Sequence, residues 1–415
     1  MMNNVFQDES SSRRLDLRMA QRFLESPDSV NLDSFTEIDD DAAEALRSFD
    51  EGLFLNGLTS LSDAAAQSLG HGESFLLYLD GIESLGDAAF IAISQHSYFS
   101  MASLKSLSET AATAMGRPEW SARLLDGLTS LSESVAVSLA EKSDALSLKG
   151  LQHLSDSVAS ALARNSHSLD LSGLAEISDS AAAALSAHQG DLNLSGLKEL
   201  SKNAAEALAR HNGDLELDGL TDISVETALA LSRHQGPVLS LNGLETLTEE
   251  VAAALANRKG SREFCCVRNP YCFWPPDEDW ERIAFPSDGL NLRGLKHLDA
   301  PAAEALAAFP GNLKFEELAQ LSDSVAMALS KHCGNLLISG VLTLSDGAAE
   351  ALARYTGRLT LPELLTLSDP AAAALSNYQG PMLNMESLED LSPESARLLA
   401  ANANIEFPGN GRRYG

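Results

Sequence analysis

Hydrophobic positions recur along most of the chain in a phrase of 23 residues, as when GDLNLSGL at 190–197 returns as GDLELDGL at 213–220. Numbered by slots from its first leucine, the phrase reads L-x-L-x-G-L-x-x-L-S-D-x-A-A-x-A-L-A-x-H-x-G-x. Slot one falls on fifteen positions: Val30, Leu53, Leu77, Phe99, Arg123, Leu146, Leu169, Leu192, Leu215, Leu239, Leu290, Leu313, Leu336, Leu359 and Leu383. We therefore expect one elongated array of these copies and not two or three separate domains.

Each slot predicts a local structure. Alternating leucines in slots one and three, as at Leu192 and Leu194, predict a short strand with one buried face. Glycine in slot five, as at Gly196, predicts a bend because glycine accepts backbone angles that other residues avoid. Ser and Asp in slots ten and eleven predict a helix N-terminus, and the alanine-rich stretch after them predicts a short helix. A strand must then return beside the previous one, in parallel and with a right-handed connection.

The phrase resembles the leucine-rich repeat, in particular the cysteine-containing subtype L-x-L-x-x-C-x-x-I-T-D-x-G-L-x-x-L-A. LSD at 61–63 and ISD at 177–179 match its ITD, whereas slot six holds Leu in place of its Cys or Asn, and the copies are shorter. The resemblance implies an α/β leucine-rich repeat solenoid, with a curved parallel sheet on the concave side and short helices on the convex side. Because slot six is Leu, we expect the hydrogen-bonded ladder of that slot to be absent.

The pattern divides the chain into five segments. We expect an N-terminal helical cap or disordered segment at 1–28, about ten repeats at 29–260, an insertion at 261–289, about five repeats at 290–404, and a flexible tail at 405–415.

The insertion differs from its surroundings in composition. Its aromatic and cysteine residues include Tyr271, Trp274, Trp280, Cys265, Cys266 and Cys272. It contains no histidine and too few ligands for a zinc site, and a disulfide from Cys272 to Cys265 or Cys266 is left open. Two compatible interpretations follow: a recognition loop with aromatic anchors, or a segment that folds back over leucines exposed at the break.

Slots two and four face outward from the predicted sheet and are polar, small and mostly acidic. Phe54, Tyr78 and Leu124 form the apolar patch on this face, which is either a protein-binding site or a set of scattered surface residues near the cap. Beyond the insertion, Arg293 and Lys314 reverse the local charge. They would favour an acidic partner segment, although ordinary solvated charges give the same pattern.

Slot twenty holds His188, His211 and His234 at repeat spacing. A metal site is one interpretation. The same slot also accepts Lys, Arg, Phe and Tyr and falls in the last helical turn, where donors meet unpaired carbonyls. We therefore interpret the histidines as structural and predict no metal ligand and no cofactor.

Charge narrows the classes of partner. With 29 basic and 59 acidic residues the net charge is −30, which disfavours nucleic acid and anionic membranes. The chain has four cysteines, no apolar run that approaches the roughly 18–20 residues of a membrane-spanning helix, and no secretory signal, so we expect a monomeric cytoplasmic protein.

The sequence predicts a binding protein and not an enzyme. It contains no nucleophile elbow and no phosphate-binding glycine-rich loop, and catalysis by Cys272 is the weakest of the interpretations. We expect a non-catalytic scaffold that binds a protein or peptide through the concave face and the insertion. The alternative is an adaptor that presents a substrate to a separate enzyme, for which the candidate helix at 12–24 would be the free docking segment.

Overall fold

A computed structural model describes residues 14–114, 122–142, 145–258 and 289–408. They divide between Asn193 and Leu194 into two compact units. Almost all of the insertion and the end of the tail lie outside the described residues, so the predicted segment boundaries around them stay predictions.

The first unit begins with a small cap. Strand β1 (Arg14–Leu15) pairs in parallel with β2 (Glu37–Ile38), and helix α1 (Leu17–Glu25) lies between them in the chain. The copy that starts at Val30 forms 3-10 turns in place of the predicted strand.

Helix α1 is not a free docking segment, contrary to the expectation for the helix at 12–24. It packs on helix α2 (Asp40–Leu46) through its buried residues Ala20 and Phe23, and the Phe23 ring meets that of Phe49 edge to face at 5.0 Å. The segment therefore covers the end of the helical layer.

Seven further strands of the first unit form a parallel sheet in which each pairs with the next along the chain. They are β3 (Gly52–Phe54), β4 (Leu76–Tyr78), β5 (Phe99–Ser100), β6 (Ala122–Leu124), β7 (Ala145–Ser147), β8 (Leu169–Asp170) and β9 (Leu192–Asn193). The helices between them are α3 (Asp63–Gly70), α4 (Asp87–Ile93), α5 (Glu109–Ala114), α6 (Glu133–Lys142), α7 (Asp156–Leu162) and α8 (Asp179–Leu185). Slot one pairs with slot one throughout, as the 23-residue period predicts.

The second unit repeats this arrangement with eight strands. They are β10 (Leu215–Glu216), β11 (Val238–Ser240), β12 (Gly289–Asn291), β13 (Asn312–Phe315), β14 (Leu336–Ile338), β15 (Leu359–Thr360), β16 (Leu383–Asn384) and β17 (Ile405–Glu406). Its helices are α9 (Lys202–Leu208), α10 (Val225–Leu231), α11 (Glu249–Ala256), α12 (Ala300–Ala307), α13 (Asp323–Leu329), α14 (Asp346–Leu352), α15 (Asp369–Leu375) and α16 (Pro393–Ala401). Strand β17 pairs with β16, so the flexible tail predicted from residue 405 is wrong for its first two residues.

The sheet of the second unit continues across the insertion. Strand β11 pairs directly with β12, with Leu239 opposite Leu290, and helix α11 packs on α12. The copy that begins at Leu290 therefore continues the array in register with the copy that begins at Leu239.

The core lies between the sheet and the helices. The leucines of slots one, three and six are buried, as at Leu192, Leu194 and Leu197, and so are the alanines of slots thirteen and fourteen. Burying one leucine side chain contributes about 1.5–3 kcal/mol, and small alanines let each short helix lie close to the strands. The fold is thus α/β, with a parallel sheet on one side and short helices on the other, as predicted.

The glycines of slot five have a different role from the predicted one. Neither Gly150 nor Gly173 has a left-handed φ angle. A methyl group on Gly173 would instead overlap the carbonyl oxygen of Lys149 in the preceding copy, and one on Gly150 would overlap that of Asp126. Glycine is needed here because successive bends approach each other closely.

Candidate functional site

The candidate site is the outward face of the first strands. Because side chains alternate along a strand, slots one and three point into the core, and slots zero, two and four point outward, slot zero being the position before slot one. In β3 this buries Leu53 and Leu55 and exposes Phe54. In β4 it exposes one side of Tyr78, which is half-buried.

Three aromatic side chains meet on this face and form what we call the aromatic cluster: Phe54, Tyr78 and Tyr98. The rings of Phe54 and Tyr78 stack, with centroids 4.9 Å apart and an interplanar angle of 6°. The ring of Tyr98 lies 5.9 Å from that of Tyr78 and is tilted by 58°. Phe54 remains 49% exposed, which is unusual for a ring of this size on a sheet.

Tyr98 was not among the predicted site residues, although its position in the repeat indicates an outward side chain. Tyr98 occupies slot zero, just before β5, and the same period of two that exposes slots two and four turns slot zero outward.

The hydroxyl group of Tyr98 interacts with Tyr78 and with the Asp80 carboxylate. Partial burial raises the pKa of Tyr98 to about 12, and a hydrogen bond with Tyr78 and the charges of Tyr78 and Asp80 act in the same direction. The two phenol groups and the Asp80 carboxylate therefore belong to one electrostatic environment.

A ladder of side-chain oxygens in slot four supports this face. In the cap, Asp33 Oδ1 accepts from the backbone N of Asn56 at 2.8 Å, and Asn56 Oδ1 accepts from that of Asp80 at 3.2 Å. Asp80 Oδ1 in turn accepts from the N of Ala102 at 2.9 Å and from the hydroxyl of Ser100. In the second unit, Asp218, Asn242 and Arg293 continue the same pattern.

The slot-four ladder supplies the polar contacts between copies that slot six lacks. Sequence comparison predicted the loss of a polar ladder because slot six holds Leu. The copies are instead joined by polar side chains two slots earlier, and each Asp or Asn oxygen satisfies a backbone amide of the next copy.

A second ladder runs along the helix N-termini. The slot-ten serine caps its own helix, as Ser178 does by accepting from the N of Ala181 at 2.9 Å. The same hydroxyl donates to the slot-eleven aspartate of the preceding copy, Asp156, at 2.6 Å. At Asp369, hydroxyl donors from Ser392 and Ser395 lower the pKa of the carboxyl group. The predicted caps are confirmed, and their link to the preceding copy is an addition.

Three basic residues of the second unit, Arg293, Lys296 and Lys314, are paired with glutamates. Glu316 Oε1 lies 3.3 Å from Arg293 Nε and 3.1 Å from Lys314 Nζ. Lys296 Nζ lies 2.6 Å from Glu245 Oε1. Carboxylates on the same surface thus offset the positive charge of Arg293 and Lys314. Their predicted role in attracting an acidic partner stays a prediction.

Of the other predicted apolar and aromatic site residues, the structure describes the backbone of Leu124 alone. The backbone of Leu124 lies in β6, and Ser100 of β5 separates it in the register from Tyr78. The side chain of Leu124, and all of Tyr271, Trp274 and Trp280, lie outside what the structure describes.

The polar residues of slot twenty are buried and inward-facing. Those with a described side chain include His96, Asn165, His188, His211, His234, Arg258, His332, Tyr355 and Tyr378. Several of their donors reach carbonyl oxygens of the preceding copy: Arg258 donates to Gly236 O at 2.6 Å, and Asn165 donates to Ala140 O at 3.3 Å. Two histidines differ, because His234 Nε2 lies 3.2 Å from Val238 O, later in the chain, and His96 Nε2 pairs with the hydroxyl of Ser74 at 3.0 Å. No group of three or more potential metal ligands occurs in the described parts of the chain.

Burial also governs the titration of these histidines. It lowers the pKa of His96, His188 and His332, and lowers that of His234 to about 4. Arg258 and His211 beside His234 act in the same direction, because a further positive charge there is unfavourable.

Within the described ranges, no helix is both long and apolar enough to cross a lipid bilayer.

Comparisons with known proteins give structural likenesses alone. No protein-family description matches the chain, and no curated protein matches it. A chain of the yeast Rad7 and Elc1 complex is 14% identical over 95% of this chain and 84% of that one, with a TM-score of 0.34. An internalin from Listeria monocytogenes is 13% identical over 79% and 89%, with a TM-score of 0.39. A leucine-rich repeat protein of Leptospira interrogans is 15% identical over 93% and 97%, with a TM-score of 0.33.

Proposed function

We propose that this chain is a leucine-rich repeat protein and a non-catalytic scaffold that binds another protein or a peptide on the outward face of its sheet. The stack of the exposed Phe54 ring on the half-buried Tyr78 ring carries the proposal. Aromatic anchors of this kind supply a large share of binding energy in protein interfaces.

The strand pairing and hydrogen bonds around Phe54 and Tyr78 favour a preorganised binding surface. Phe54 and Tyr78 lie directly opposite each other in paired strands, and the slot-four ladder ties the strand ends on either side of them. A partner that covers the two rings would therefore lose little free energy in ordering the protein.

Polar chemistry in the described residues has structural uses that count against catalysis. The serines of slot ten cap helices and donate to the preceding copy, as at Ser178 and Ser392. The aspartates of slots four and eleven accept these bonds, as at Asp80 and Asp369. None of these groups is paired with a base in the manner of an activated nucleophile.

For the insertion we favour the recognition loop over the structural patch. Because β11 and β12 pair directly, the sheet has no gap at this point that a patch would have to fill. A loop that leaves and rejoins an unbroken array is a common place for binding residues. Tyr271, Trp274 and Trp280 are the proposed anchors.

The test is affinity capture from native extract with three proteins: the whole chain, a chain with 263–286 replaced by a Gly-Ser linker, and the double variant Phe54→Ala, Tyr78→Ala. We expect the whole chain to hold a partner that the double variant releases, with circular dichroism unchanged. Loss of the partner from the linker chain as well would assign the insertion to the same interface. Equal capture by all three proteins would contradict the proposal.

A further inference from the structure

We propose that the partner segment bound at the aromatic cluster is basic, with cationic side chains that lie on the ring of Phe54 and pair with the Asp80 carboxylate. The inference rests on the proposed function and specifies the chemistry of the partner at that site.

The geometry of the rings suits a planar cation. Stacking on Tyr78 covers one face of Phe54, and the ring is still 49% exposed. The negative face of an aromatic ring attracts cations, and guanidinium groups commonly lie parallel to such faces. Gly52, in slot zero of the same strand, has no side chain, and the edge of the Phe54 ring extends over it.

The charge beside the rings has one sign. In slots zero to four of β3, β4 and β5, which are all described, Asp80 is the charged residue, and no lysine or arginine is present. Asp80 is half-buried and uses Oδ1 to accept from Ser100 and Ala102. Its Oδ2 accepts no hydrogen bond from the described residues, so it is available to a guanidinium.

The position of Asp80 beside the two tyrosines strengthens the preference of the aromatic cluster for a cationic partner. Asp80 lies two residues after Tyr78 on the same outward face, and its charge is one of the influences that raise the pKa of Tyr98. A basic segment there would offer cations to an aromatic face and to a carboxylate, whereas an aliphatic segment would leave the carboxylate without a partner.

A second copy of the chain is a poorer occupant. Each protein molecule carries a net charge of −30, so two molecules repel each other at long range. The same charge attracts a basic segment and speeds its association.

The substitution that tests the charge is Asp80→Asn, because Asn already occupies slot four elsewhere. Asn56 and Asn242 both accept the backbone amide of the next copy through Oδ1. The variant should therefore keep the ladder and lose the charge. Asp218→Asn is the control in the second unit, since Asp218 Oδ1 likewise accepts from a serine hydroxyl and a backbone amide, and its Oδ2 accepts in addition from Asn242 Nδ2.

The experiment selects binders from a library of short random peptides displayed on phage, using the whole chain as bait. Synthetic copies of the selected peptides are then measured by fluorescence anisotropy. We expect peptides that contain arginine or lysine, and binding about three- to tenfold weaker for Phe54→Ala and for Asp80→Asn. Phe54→Leu, which keeps apolar volume and removes the ring face, should weaken binding too, while Asp218→Asn should not.

Other outcomes overturn the inference in distinguishable ways. Peptides that require Phe54, lack basic residues and bind Asp80→Asn normally would leave the proposed function standing and refute the basic partner. Peptides whose binding ignores both Phe54 and Tyr78, or a library that yields no binder at all, would count against the cluster itself. Concentration-dependent dimers lost in Phe54→Ala would assign the cluster to self-association.

Discussion

Slot twenty shows how one position can accept many residue types and still have a single role. His332, Arg258, Asn165 and Tyr355 differ in size and charge, yet each is buried and each contacts a carbonyl oxygen of the preceding copy. These four residues share a donor at the end of the side chain, whereas Phe309 fills the same slot with a buried ring alone. A histidine in this slot thus has a structural use of the kind that Arg, Asn and Tyr have there.

Protonation of these histidines should destabilise the fold in acid. The pKa of His234 is about 4 in the folded protein, below the value of about 6.5 expected when unfolded. The unfolded chain therefore binds the proton first, and stability that is complete above about pH 6.5 is lost as the pH falls towards 4. For His234 alone this loss is about 2 kcal/mol at pH 5.

The variant His234→Asn should reduce that loss, because Asn is accepted in slot twenty at Asn165 and does not titrate. We expect the drop in unfolding free energy between pH 7.5 and pH 5, measured by urea denaturation, to shrink by about 2 kcal/mol. His153→Asn, at an exposed position, is the control and should leave the drop unchanged. An equal drop in wild type and His234→Asn would refute this account.

At the scale of the single helix, slot ten has two roles in one hydroxyl group. As acceptor it caps the first turn, and as donor it binds the aspartate of the preceding copy. Helix α4 is an exception, because its N-cap is Gly86 and has no side chain. Space is available there, since nothing lies within 4 Å of a Cβ added to Gly86.

The substitution Gly86→Ser should therefore stabilise the first unit. The new hydroxyl group can cap α4 and donate to Asp63, the slot-eleven residue of the preceding copy. We expect an increase of about 0.5–1 kcal/mol in the free energy of unfolding, measured by urea denaturation at neutral pH. Gly86→Ala adds the same carbon without the hydroxyl and should lower stability, so equal shifts in the two variants would argue against the double role.

At the scale of the whole molecule, contacts are made between neighbours in sequence. Within each unit, every helix packs on the next and every strand of the sheet pairs with the next. Stability in such an array is approximately a sum of local terms, and its ends need covers. In the first unit that cover includes α1, which places Phe23 against Phe49.

Loss of this contact should have a local effect. We expect Phe23→Ala to cost about 3 kcal/mol, because a buried ring is removed from the edge of the core. Hydrogen exchange should quicken in α1 and α2 and stay unchanged in α14, α15 and α16. Phe75→Ala removes a ring that is 61% exposed and should alter neither region. Uniform acceleration throughout the chain in Phe23→Ala would contradict the additive description.

Much of the fold could be predicted from the sequence because its signals are short-ranged. The alternation of Leu192 and Leu194, the cap at Ser178 and the alanines of the helices each depend on residues a few positions apart. A fixed period then sets the register of the strands, and it places Phe54 opposite Tyr78 without further information.

Only the tertiary structure decided the contacts between neighbouring copies of the repeat, because these contacts depend on which atoms packing brings together. The slot-four ladder, the burial of slot twenty and the direct pairing of β11 with β12 each join atoms far apart in the chain. The close approach at Gly173 is of the same kind, because a carbonyl of the preceding copy occupies the space of a side chain. The sequence by itself determined the repeating unit and its parallel register, and only packing between units of the repeat determined which polar groups are buried, bonded or left for a partner.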